Sequence, residues 1–140
     1  MRLLAMPWVA GFVVILADPS FRMLGEVTAM AGAIVDAGHA GAAGPMLDEL
    51  VADIEDHADS QDESEHDDLD AMIETLASCS ALIHERCTED ESAHLREWVL
   101  GIARVTAEAR REGGVLGVGA VRVSDAEIDA LARIDAAFDA

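Results

Sequence analysis

The sequence predicts an all-α protein: a compact bundle of five to six helices with one glycine-rich extended loop. Three observations predict it. Half of the chain is hydrophobic but only 4% is aromatic, so the core must be built from Ala, Leu, Val, Ile and Met. Alanine is the best helix former and is depleted in strands. Apolar residues recur at helical spacing in the later segments, and two capping boxes mark helix starts. A chain of 140 residues fits one domain, 1–140, with enough apolar content to bury a core.

The elements follow in order. Leu3 to Ala17 is an uncharged apolar run of 15 residues, closed by Asp18. A spanning helix needs roughly 20, and Asp18-Pro19 is a poor cleavage site for a signal peptide, so the run is expected to be a buried core helix. That helix is placed at about Leu4 to Ala17, with Pro7 tolerated in its first turn. Asp18-Pro19-Ser20 breaks it, and an Ala-rich helix is expected from about Phe21 to Asp36. Gly38 to Pro45 is a glycine-rich connection. Met46 to Ala58 reads as a third helix with Met46, Leu47, Leu50, Val51 and Ile54 on one face. Six acids fall within Asp59 to Asp68, which is expected to be an exposed linker, because blocks of like charge do not pack.

The fourth helix, about Asp67 to Cys87, carries a stripe at Leu69, Met72, Ile73, Leu76, Cys79, Ile83 and Cys87. Thr88 opens the fifth as a cap, with Glu91 reaching back. Its predicted buried stripe is Leu95, Trp98, Val99, Ile102, Val105 and Ala109, and it closes on Arg110 and Arg111 before Gly113-Gly114. Gly113 to Val123 holds four glycines in eleven residues, which favours an extended loop laid across the bundle over a regular strand. Ser124 and Glu127 form the second capping box. The last helix is expected to turn Ile128, Leu131, Ile134 and Phe138 to the core.

Charge speaks about environment. The chain has 28 acids against 9 Lys and Arg, a formal charge of -19, and contains no lysine, asparagine or tyrosine. Those three share A/T-rich codons, so their joint absence points to a GC-rich genome. The acid excess points to a salt-filled cytoplasm, with a high-GC actinobacterium as the second source. Scattered arginines give no phosphate-binding cluster, which argues against nucleic acid and anionic membranes as partners. Cys79 and Cys87, eight residues apart in one helix, sit about 12 Å apart along its axis and cannot form a disulfide. Reduced thiols without an export signal predict a cytoplasmic protein.

Candidate chemistry centres on a divalent metal. Glu91-x-x-His94 puts a carboxylate and an imidazole on one helix face, as di-iron bundles require, and His84-x-x-Cys87 has a spacing suited to zinc. A full di-iron set needs a second such pair from a packed helix, and the other Glu-x-x-His, Glu63 and His66, lies in the acid run. No Gly-x-Ser-x-Gly, phosphate loop or dinucleotide fingerprint is present. Glu91 has a second explanation as a capping residue, and a histidine beside an apolar stripe is commonly structural.

Glu26-Val27-Thr28-Ala29-Met30-Ala31 parallels Glu127-Ile128-Asp129-Ala130-Leu131-Ala132, each following a turn-rich break. This echo resembles the TerB-like tellurite-resistance helical family, in which two helical halves each carry an acidic loop leading into an acid-started helix. Asp18 to Glu26 matches the first loop, and the resemblance implies a metal role for Asp18 and Glu26. The second loop departs from the pattern, with Glu112-Gly113-Gly114 and a long insertion before Glu127.

No set of acid, base and nucleophile converges in the sequence. The expected function is therefore a non-enzymatic acidic helical module for self-association or protein docking, as a homo-oligomer or with a protein partner. Leu82, Leu100 and the apolar first helix exceed what single core stripes need. The alternative is a metal-binding or stress-response protein using carboxylate and histidine ligands, and metal analysis of untagged protein separates the two.

Overall fold

The computed structural model describes residues 2–18, 23–39, 45–56, 68–109 and 123–139, and every element among them is an α-helix. They are α1 (Arg2–Ala17), α2 (Met23–His39), α3 (Pro45–Asp56), α4 (Leu69–Arg86), α5 (Glu89–Ala109) and α6 (Asp125–Ala137). The expected all-α bundle is what the chain forms. The acid run up to Asp67, with His57, Glu63 and His66, lies outside the described residues. So does the glycine-rich stretch up to Arg122, with Arg110 and Arg111.

α1 is the axis of the bundle. It packs against each of the other five helices. Met6, Val9, Ala10, Val13, Val14 and Ile15 are buried, and Leu3, Leu4, Trp8, Phe12 and Leu16 are half-buried against the same core. A helix apolar on nearly every face belongs in such a position, because any face left to water would forfeit about 25 cal/mol per Å² of burial. The helix begins at Arg2, two residues earlier than expected, so Pro7 lies inside it rather than in its first turn. The ring removes one hydrogen bond to the carbonyl of Leu3. Gly11 lets α2 come close: a Cβ built there would stand 1.9 Å from Met30 Sδ, and Met30 is fully buried.

Local chemistry sets the later helix starts. Asp68 caps α4 by accepting the Asp70 N–H at 3.0 Å. At α5 the Thr88 N–H donates to Glu91 Oε2 at 2.8 Å, and the Glu91 N–H donates back to Thr88 Oγ1 at 3.3 Å. At α6 the Ser124 N–H donates to Glu127 Oε2 at 2.6 Å, with the Glu127 N–H returning to Ser124 Oγ at 3.2 Å. Both expected boxes form, and each satisfies two otherwise orphaned donors. α2 runs three residues past Asp36 to His39, and Pro45 opens α3, where its missing N–H costs nothing.

Two stripe assignments change. Val105 is 42% exposed and Ile128 is 54% exposed, although both were expected in the core. On α5 the buried arc runs through Leu95, Val99, Ile102, Ala103, Thr106 and Ala107, which turns Val105 outward. On α6 it runs through Glu127, Ala130, Ile134 and Ala137, because the capping box draws Glu127 inward and rotates Ile128 to the surface.

Polar contacts then pin α6. Arg96 on α5 holds Asp135 at 2.7 Å and Asp139 at 2.6 Å, and Arg133 pairs with Asp70 of α4. Partly exposed pairs of this kind contribute about 0–1 kcal/mol each. Ser80 and His84 of α4 both reach the carbonyl oxygen of Phe138 at 3.4 Å, at the C-terminal end of α6.

Candidate docking surface

α2 and α5 make the most extensive helix pair in the bundle, and an open trough of about 620 Å³ runs between them. Ala29, Gly32, Ala33 and Asp36 line it from α2. From α5 the lining is Trp98, Gly101, Ile102 and Val105. Each set falls at i, i+3, i+4 and i+7, so each helix gives the trough one straight stripe two turns long. Seven residues of helix rise about 10 Å, which sets the length of the depression.

The trough exists because side chains are missing where two helices face one gap. A Cβ built at Gly32 or at Gly101 would meet nothing within 4 Å. A glycine inside a helix costs about 1 kcal/mol relative to alanine, and in this chain neither glycine is needed to let its own helices pack. Ile102 is buried beneath, Trp98 is 8% exposed, and Val105 stands at the rim. The indole N–H of Trp98 has no hydrogen-bond partner among the described residues; the same is true of Trp8. The single charged side chain in the lining is the exposed carboxylate of Asp36.

The residues with metal-ligating spacing lie elsewhere, and Glu91, His84 and Cys87 make other contacts. Glu91 is held by the Thr88 backbone N–H and hydroxyl, both at 2.8 Å, and these hydrogen bonds lower its pKa below the usual carboxylate value. His94 is exposed on α5, three residues on. His84 sits against the Phe138 carbonyl. Cys87 is the C-cap of α4, in extended backbone, with its Sγ 4.0 Å from Met46 Sδ. Burial first, and the neighbouring Glu91 carboxylate second, push its thiol pKa up. The form that binds metal is the thiolate, so this environment works against ligation. Asp18 is half-buried just past α1, and Glu26 is 3% exposed in the first turn of α2; both have partners within the fold. The structure thus brings Cys87 near Glu91 but gathers no group of three or more His, Cys, Asp or Glu side chains among the described residues.

Sequence reasoning passed over the trough. The available signal was two interior helical glycines, each followed by an apolar residue, in helices that must pack. No described helix is long and apolar enough to cross a membrane. No protein-family model, curated protein or solved structure matches this chain.

Proposed function

We propose that the chain is a non-enzymatic docking module and that the trough between α2 and α5 receives a helix from a protein partner. The observation that carries this reading is the pair of stripes lining one trough, Ala29–Asp36 and Trp98–Val105, opened by Gly32 and Gly101. A groove with alanine and glycine walls, a tryptophan in the lining and a valine at the rim suits the apolar face of a short amphipathic helix, which anchors at the same i, i+3, i+4 and i+7 positions. The floor is apolar, so docking gains free energy from burial rather than from a reaction centre. α1, the other large apolar surface, is packed against all five other helices, which leaves it less open than the trough.

The test uses Trp98 as reporter in a Trp8→Phe background, with a helical peptide carrying leucine at the four anchor positions and uncharged flanks. Saturable movement of the emission is expected, and Gly32→Leu with Gly101→Leu should abolish it. Leucine raises helix propensity by nearly 1 kcal/mol over glycine, so the blocked protein should melt no lower than the parent. Emission that stays fixed at millimolar peptide, or a response unchanged by filling the trough, would count against the reading.

A further inference from the structure

Resting on that docking reading, we infer that the occupant of the α2–α5 trough is a basic amphipathic helix, with lysine or arginine flanking its apolar stripe, rather than a second copy of this chain. The charges around the trough select it. Asp36 lies in the lining, and Glu97 and Glu108 are exposed on one edge of α5, where they bracket the side of the stripe. Spacings of four, three and four residues place Glu97, Gly101, Arg104 and Glu108 in one row along that edge. Among the described residues, three carboxylates therefore flank the apolar floor against one guanidinium, that of Arg104. The formal charge of -19 adds a long-range field of the same sign. That field attracts a cationic helix, speeds its encounter and orients its flanks. A second copy would bring the same carboxylates and the same net charge to the contact, and like charges facing each other across an interface oppose it. Apolar anchors supply the affinity, and the acidic rim supplies the choice of partner.

The experiment compares three helical peptides that share the leucine stripe and differ only in flanks of lysine, glutamine or glutamate. Each is titrated into the full chain carrying Trp8→Phe. At about 0.1 M salt the lysine peptide should bind about tenfold more tightly than the glutamine peptide, and the glutamate peptide more weakly still. Raising KCl to about 1 M should compress the three affinities together, because the Debye length falls to about 3 Å. Glu97→Gln with Glu108→Gln, both outside the lining, should shrink the preference at low salt while leaving the glutamine peptide's affinity unchanged. Equal binding of all three peptides would overturn the inference and leave docking intact. Failure of every peptide, with a dimeric mass by light scattering that Gly101→Leu returns to monomer, would assign the trough to a second copy. Failure of every peptide in a monomeric protein would remove both the inference and the docking reading.

Discussion

Replacing Gly11 with alanine adds one methyl group where α1 approaches α2. The new Cβ would sit 1.9 Å from Met30 Sδ and 2.7 Å from its Cγ, while Thr106 Oγ1 at 3.5 Å stays at ordinary contact distance. Carbon and sulfur need nearly 4 Å, so the thioether must move by roughly 2 Å. Met30 is flexible but fully buried, so its movement displaces other core side chains. Overpacking of this kind costs about 1–3 kcal/mol, while alanine in place of glycine returns about 1 kcal/mol of helix propensity. The net expectation is a loss of about 1 kcal/mol. Met30→Ala alone should cost about 2–5 kcal/mol by opening a cavity. In that background the obstruction is gone, and Gly11→Ala should become stabilising by about 1 kcal/mol. The two sites then couple by about 2 kcal/mol, as expected for side chains in contact. Denaturant midpoints of the four proteins at constant KCl, with m-values held equal, measure the cycle. If Gly11→Ala has the same sign and size in both backgrounds, the close approach of α1 and α2 at Met30 is wrong.

Three further outcomes are expected. The melting temperature should rise from low to molar KCl as screening relieves repulsion among the carboxylates, and a flat or falling midpoint would end the salt-adapted reading. Thr88→Ala and Ser124→Ala should each lower stability by about 1 kcal/mol in denaturant titrations, and an unchanged midpoint for both would contradict the boxes at α5 and α6. The pKa of Glu91 is lowered in the folded state, chiefly by the Thr88 backbone hydrogen bond, so its contribution is present above its ordinary value of 4.5 and fades as pH falls through the lower folded value. The gap in denaturant midpoint between parent and Glu91→Gln should therefore be widest near neutrality and close in acid; a gap that widens below pH 4 would reverse the assignment.

What the sequence revealed follows from how locally each feature is encoded. Thr88 with Glu91, and Ser124 with Glu127, each act across three residues, so both helix starts were legible. The buried position of α1 was legible because no face of Leu3 to Ala17 is polar. Val105 and Ile128 were misplaced for one physical reason: α5 and α6 are rich in alanine, and apolar spacing on such helices does not choose among several overlapping arcs. On α5, Leu100, Ala103 and Ala107 competed with Val105 for the inner face and prevailed. On α6, the inward Glu127 fixed the rotation, which a polarity pattern would have assigned the other way. The trough was illegible because it is an absence shared by two helices far apart in sequence: Gly32 and Gly101 open one gap only once α2 lies beside α5. The metal spacing at Glu91, His94, His84 and Cys87 was real as spacing. Of these groups, Glu91 sits in a cap, His84 at a helix end and Cys87 in a sulfur contact, while His94 is exposed.

The central place of α1 has a consequence for how the chain comes to be folded. α1 precedes every helix that covers it, and its contact with α6 joins residues more than 100 positions apart. During synthesis this apolar helix leaves the ribosome long before α6 exists to shield it, and burial must wait for distant sequence. Long loops must close before the core repays them, so folding should be slower than for a bundle of sequential hairpins. A chain interrupted before α6 would leave the α6-facing side of α1 uncovered, an apolar surface of the kind chaperones and proteases recognise.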